Sequence, residues 1–336
     1  MAKRAAHGAG SIRKKTVLRK GKEYTYWEAR LTVGVDPGTG KQIRRSFSGK
    51  TQKEVREKMQ AAAVTVNDST YQEPTKLTVS DWLDVWLSEY TGDVKPLTRS
   101  TYKNKVESTI KPALGAVKLQ ALNAPQIQKM LNDLQRGTSG RKPLSAKTVR
   151  DIYGILHRAL GQAVEVGYLR INPSDACKLP RVERAEIKPL DEAQTAAFLN
   201  AIHGQPFERL FIVDLLTGLR QGELLGLRWK DVDFDAGTVT VAQQLLKSKE
   251  KCGAYFFGSL KNDKTRLLTP APSVMKALRE QRRVQTEWRL KAGEFWEDSG
   301  LVFTDELGRH LSHVTVRKHF KKAVESIGIP EARFHD

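Results

Sequence analysis

The feature that most constrains the fold is a change of hydrophobic period along the chain, punctuated twice by polar, proline-containing stretches. Tyr24 to Gly34 alternates roughly and is rich in β-branched and aromatic residues. From Thr78 onward the apolar residues instead recur three and four apart, as Trp82, Val85, Trp86 and Tyr90 do. A half-buried strand requires a period of two and a helix one of 3.6, so these segments belong to different layers or different domains. The breaks fall at a polar stretch ending in Thr75-Lys76, which contains Pro74, and at the charged run from Leu179-Pro180 to Pro189. They divide the 336 residues into segments 1–68, 77–176 and 190–336, with linkers at 69–76 and 177–189. A length of this order suits two or three domains at roughly 150 residues each.

The first segment predicts a small sheet backed by one helix. Strands are expected over Ser11 to Leu18, Tyr24 to Gly34 and Gln42 to Phe47, with turn chemistry in Asp36-Pro-Gly-Thr-Gly40. Thr51 is placed to cap a helix beginning Gln52-Lys-Glu-Val. This segment is also where the charge lies. The chain carries +19 from 57 Lys+Arg against 38 Asp+Glu, and residues 1–58 alone hold sixteen Lys/Arg against five Asp/Glu, a net +11. Such an excess selects polyanionic partners, with nucleic acid ahead of membrane because no basic helix with a bulky apolar face accompanies it. Arg13, Lys15, Arg30, Arg44 and Arg45 on the strands are candidate DNA contacts. The sequence leaves open whether such a sheet reads bases or only meets phosphates.

The middle segment predicts four helices, the later three starting near Thr98, Ala124 and Ser145 and the last ending around Gly167. Ile127, Met130, Leu131 and Leu134 form one apolar stripe; Val149, Ile152, Tyr153, Leu156 and Leu160 form another. Both belong to a helical core. Lys103, Lys105, Lys111, Lys147, Arg150 and Arg158 are candidate phosphate contacts on its surface. No stretch reaches the ~18 apolar residues of a membrane span, and the basic N-terminus lacks the apolar core of a secretory signal. Cys177 and Cys252 stand far apart and outside any metal-ligand spacing, which fits a reducing cytoplasm and no metal site.

The last segment opens on a capping pattern at Leu190-Asp191-Glu192-Ala193 and then carries the chemistry. An apolar helix runs into Thr217-Gly218, breaks, and restarts as Leu219-Arg220-Gln221-Gly222-Glu223-Leu224-Leu225-Gly226-Leu227-Arg228-Trp229-Lys230-Asp231-Val232-Asp233. Arg220, just past the glycine, is free of helix packing, and Glu223 three residues on is within reach of its guanidinium. Downstream, Phe256 to Lys261 and Lys264 to Pro270 read as two strands joined at Asn262-Asp263. Lys261 lies just before that turn and Lys264 just after it. Near the end, His310, His313 and His319 fall in a helix-like run, and the chain closes on Phe334-His335-Asp336.

The string from Thr217 to Asp233 resembles the arginine box of tyrosine recombinases, T-G-L-R-x-G-E-L-x-x-L-x-W-x-D-[VI]-D. The resemblance extends over nearly the whole chain and implies a multidomain α+β protein. Its parts are a small three-stranded arm-binding sheet with a helix, a four-helix core-binding domain of SAM-like type, and a mixed, mainly α catalytic domain with a small sheet. It implies catalytic roles for Arg220, for Lys261 (with Lys264 as the competing lysine) and for His335, with Glu223 in support. None of the eight tyrosines suits the nucleophile, Tyr255 included, and the resemblance expects that residue beyond Asp336. On this reading the polypeptide binds DNA without cleaving it. The implied reaction is DNA integration and excision through a 3′-phosphotyrosyl link, with no metal and no cofactor. Expected partners are double-stranded DNA of core and arm types, further copies of the chain in a tetramer, and an excisionase or host architectural protein. The expected place is the cytoplasm of a bacterial host. A non-catalytic DNA-binding derivative is the alternative; an RNA-binding protein accounts for the charge but not for the box.

Overall fold

The computed structural model describes residues 10–19, 21–35, 39–67, 75–138, 140, 142–183, 189–248, 254–260 and 262–334. The chain divides into two compact units, 1–182 and 183–336, and the first holds two separate apolar cores.

In the smaller core, β1 (Ser11–Arg19), β2 (Lys22–Val35) and β3 (Gln42–Gly49) form an antiparallel sheet in chain order. Alternation sorts the side chains. Ala29 and Leu31, with Ile12, Trp27, Val33 and Phe47, pack against Val55 and Met59 of α1 (Gln52–Asn67). Thr51 caps that helix, its hydroxyl accepting from the Glu54 amide. The register pairs Arg13 with Glu28, Lys15 with Tyr26, and Glu28 with Ser48. Arg13, Lys15, Arg30 and Arg44 therefore share the face away from α1. Arg45 pairs with Leu31 and falls on the α1 side, because neighbours on a strand point to opposite faces. That removes it from the face carrying the other four cations.

The second core is helical. α2 (Val79–Glu89) starts with a capping box between Thr78 and Asp81. α3 (Pro96–Lys105) continues through a wide π-type turn at Val106–Ile110 into α4 (Lys111–Leu114), so the helix expected from Thr98 is interrupted rather than uniform. α5 (Ala124–Arg136) is capped by Asn123 and α6 (Ala146–Glu165) by Ser145. Trp82, Trp86, Ile127, Leu131, Ile152 and Leu156 are fully buried here. Side chains of this size each contribute roughly 1.5–3 kcal/mol on burial, and the Trp82 Nε1 donates to the Ala159 carbonyl at 2.8 Å. Of the surface cations, Lys103 and Lys147 are exposed and Lys105 is half-buried. Arg150 is exposed but spends its Nε on the Pro180 carbonyl. Lys111 is held by Asp84 and Glu107, and Arg158 donates to the Tyr102 hydroxyl.

The second unit runs α7 (Glu192–Ile202), α8 (Glu208–Thr217), α9 (Gln221–Leu225), β4 (Val232–Asp233), β5 (Thr238–Val241), β6 (Gln244–Lys247), β7 (Tyr255–Gly258), β8 (Arg266–Leu268), α10 (Pro272–Ala292) and α11 (His313–Ser326). Asp191 caps α7 through a box with Gln194. The strands differ from expectation at one point. β8 pairs with β5 in the sheet β4-β5-β8, whereas β7 pairs back onto β6. The two segments flanking Asn262-Asp263 are therefore not partners in a hairpin. Residues 259–265 separate them, too many for the two-residue turn that the sequence suggested. The local turn does form: Asp263 takes φ 54° and its amide donates to the Leu260 carbonyl.

Candidate active site

Arg220 owes its position to the glycine before it. Gly218 closes α8 with φ 60°, a left-handed conformation that strains any residue with a side chain. Arg220 then becomes the extended N-cap of α9. Gly226, at the far end of α9, sits so close to β6 that a Cβ there would lie 2.8 Å from the Leu245 amide nitrogen. Gln221 fastens α9 to α11, donating to the His313 carbonyl and accepting from Arg317 Nε. Trp229 Nε1 bonds Gln285 on α10 at 2.6 Å. Most of the Thr217–Asp233 string is thus the framework that holds one arginine in place.

Glu223 is the centre of that framework. Its side chain is 1% exposed and meets two guanidinium groups. Arg220 donates from its backbone N–H to Oε2 at 2.9 Å and from Nη1 to Oε1 at 3.0 Å. Arg266, from β8, grips both oxygens, with Nη1 to Oε1 at 3.0 Å and Nη2 to Oε2 at 2.6 Å. Burial by itself pushes the Glu223 carboxyl up; the Arg266 fork, then the Arg220 amide and guanidinium, overcome it and bring it down to about 2. The Arg220 side chain stays 58% exposed. A fixed, solvent-facing guanidinium of this kind is a preorganised hydrogen-bond donor for an anion.

Arg220 also borders a cavity of about 730 Å³ whose other walls include Asp214, Phe198, Phe211, Arg333 and Phe334. Asp214 faces this largely apolar space, and burial pushes its carboxyl up to about 8. The histidines 310 and 313 lie elsewhere, against Tyr255: the rings of His313 and Tyr255 stack at 5.5 Å, and the Tyr255 hydroxyl accepts from the His313 amide and pairs with Ser312 Oγ. Burial, before the neighbouring Arg317, lowers the His313 imidazole. His319 packs edge-on to Phe207. Among the residues named from the sequence, Arg220 and Glu223 come together; Lys261 and His335 lie outside the described residues, and Lys264 is exposed beyond the turn.

Comparison with known proteins bears on this arrangement. A model described as the phage integrase family matches residues 188–336, and one described as the phage integrase N-terminal SAM-like domain matches residues 78–135. A tyrosine recombinase XerC-like protein of Caldanaerobacter subterraneus is 31% identical across 96% of this chain and 85% of its own length. The chain belongs to the phage integrase family of tyrosine recombinases. An integrase of Streptomyces ambofaciens is 28% identical over 97% of this chain and 81% of its own. The fold agrees with solved integrases. The Tn1549 transposon integrase in complex with transposon right-end DNA superposes with a TM-score of 0.65 at 20% identity, covering 77% of this chain and 83% of that one. A lambda integrase tetramer bound to a Holliday junction gives 0.56 at 18%, covering 95% and 87%. The mixed α+β architecture expected from the sequence is therefore that of tyrosine recombinase integrases.

Within this tyrosine recombinase, sequence reasoning missed Arg266 and Asp214. Arg266 stands 43 residues from Glu223, and an arginine on a short strand reads as a solubilising charge. Asp214 did carry a signal, as an acid inside the apolar run from Leu210 to Leu216.

Proposed function

We propose that this chain acts on duplex DNA as a site-specific recombinase, with Arg220 as a ligand of the phosphate at which strands are cut. The observation that carries the reading is the Arg220–Glu223–Arg266 arrangement, which presents one guanidinium to solvent and fixes it from behind by a buried carboxylate. Arg333 and Phe334 border the same cavity as Arg220, which supports a role for the adjacent His335 near the same phosphate. In the sequence Lys261 is the neighbour of Leu260, which is buried, and stands five residues before Arg266.

In the reaction so read, a tyrosine hydroxyl that is none of the eight in residues 1–336 loses its proton and attacks phosphorus, and the bond to the 5′-oxygen breaks; residues 1–336 by themselves bind DNA without cleaving it. Lys261 supplies the proton that the leaving 5′-oxygen takes up, and Arg220 and His335 donate to the non-bridging oxygens. The 3′-phosphotyrosyl link conserves the bond energy, so a 5′-hydroxyl from a second duplex reverses the step. The lambda integrase tetramer on a Holliday junction supports a tetramer of this chain on core-type DNA. Arm-type DNA is assigned to the β1–β3 sheet, with Arg13, Lys15, Arg30 and Arg44 as contacts. Lys103, Lys105, Lys147 and Arg150 are assigned to the core-type duplex. An excisionase or host architectural protein completes the set of partners.

Two measurements test the reading. Duplex affinity is expected to fall steeply with salt, with a log-log slope near −0.9 per phosphate neutralised; a flat plot removes duplex binding. For Arg220, a site selected from random duplex is resynthesised with one neutral methylphosphonate at each position in turn. One position should weaken wild type about tenfold and leave Arg220→Ala almost unaffected, the signature of a direct pair in a double-mutant cycle. Additive losses at every position would show that Arg220 meets no single phosphate.

A further inference from the structure

We propose that the sheet face opposite α1 reads a guanine in duplex DNA through Arg13, and that Glu28 is the residue that fixes Arg13 for this purpose. The inference rests on the DNA-binding reading above and adds a base specificity to it.

The face is basic, yet an acid lies at its centre. Glu28, on the middle strand, pairs with Arg13 on one side and Ser48 on the other. Its side chain is only 8% exposed, and it is met by Arg13, Lys15 and Arg30. A face built merely to meet phosphates gains nothing from a carboxylate in its middle, because that charge subtracts from the attraction and occupies three cations. The arrangement makes sense if one of those cations is being aimed.

Arg13 is the one whose geometry is fixed. Its Nε and Nη2 both donate to Glu28 Oε2, at 2.9 and 2.7 Å. Lys15 touches the other oxygen at 3.3 Å, and Arg30 reaches Glu28 only at 3.5 Å. The Arg13 hydrogen bonds, ahead of the opposing effect of burial, hold the Glu28 carboxyl below its ordinary range, so it stays an acceptor. With one edge of the guanidinium spent, its outer edge remains, made of Nη1 and the second Nη2 hydrogen. Arg13 is still half exposed, so this edge is available to a ligand. Two parallel donors at that spacing match the O6 and N7 acceptors of guanine in the major groove; adenine, cytosine and thymine do not offer two adjacent acceptors there. Holding the long side chain in place before binding removes much of the rotamer cost of that contact. Glu28, the partner of Arg13, also borders a recess with Val17, Tyr24, Tyr26, Ser46 and Ser48.

The test is binding-site selection from a random duplex pool with the full chain, comparing wild type, Arg13→Lys and Glu28→Gln. Wild type should select a guanine whose replacement, by another base or by 7-deazaguanine, weakens binding tenfold or more. Arg13→Lys keeps the charge but not the fork. It should bind random duplex with an unchanged salt slope and lose that preference and the sensitivity to 7-deazaguanine. Glu28→Gln should lose it as well. Because Arg13 is exposed, its lysine variant keeps the test independent of whether Glu28→Gln folds. If wild type binds duplex and Arg13→Lys selects the same sequence with the same guanine dependence, the inference is wrong and the DNA-binding reading stands. If wild type binds no duplex, both are wrong.

Discussion

Glu223→Gln is expected to destabilise the 183–336 unit by about 2–3 kcal/mol at pH 7, a loss of roughly 5–10 °C in melting temperature. Glutamine keeps the shape but replaces one acceptor oxygen by an NH₂ group, which points its hydrogens at a guanidinium donor. Two charge-assisted forks are then mispaired around a side chain that is 1% exposed. The figure sits at the low end for a broken buried pair because both arginines keep some solvent. The pH dependence has a definite sign. The folded carboxyl is held at about 2 against an ordinary 4.5, so its contribution is complete above about 4.5 and disappears as pH falls through 2. Wild type should therefore lose stability over that window, while Glu223→Gln shows a flatter acid limb. Thermal melts of both proteins between pH 2 and pH 7 measure it; parallel curves would mean that the carboxylate is not held by Arg220 and Arg266. Arg266→Ala should reproduce much of the loss, and should also weaken the phosphate contact proposed for Arg220, since Arg266 bonds Glu223 and through it holds Arg220.

The Arg220–Glu223 pair was legible because it is local. Two residues three apart, the N-cap and the third position of one short helix, fix their own geometry, and the string around them records the glycine turn at Gly218, the close approach at Gly226 and the Trp229–Gln285 bond. Arg266 was not legible, because its partnership depends on β8 pairing with β5. The sequence around Asn262-Asp263 suggested a different pairing, since a turn signal is local and does not say which strands it joins. The first sheet was legible down to its helix, because alternation, turn residues and the Thr51 cap agree with one another. What alternation also determined, and the reading of single strands did not use, is that Arg44 and Arg45 belong to opposite faces. Glu28 carries no local signal of its own; only the register sets it against Arg13.

Asp214→Asn should stabilise the same unit by about 2 kcal/mol at pH 7 to 8, the opposite direction from most substitutions of buried polar groups. Asp214 lies on α8 facing the cavity beside Arg220, and burial raises its carboxyl from an ordinary 3.8 to about 8. Below pH 3.8 the carboxyl is protonated in both folded and unfolded chains and has no effect on the balance. Between 3.8 and 8 the unfolded chain releases the proton and the folded chain keeps it, so stability declines as pH rises, by at most about 1.4 kcal/mol per unit. Relaxation and water entry reduce the full sum, hence the smaller expected figure. Asparagine has no proton to release and should abolish the slope, so that the two proteins melt alike near pH 4 and diverge steadily towards pH 8. Equal pH profiles would show that Asp214 ionises normally and that the cavity is wetter than its walls suggest.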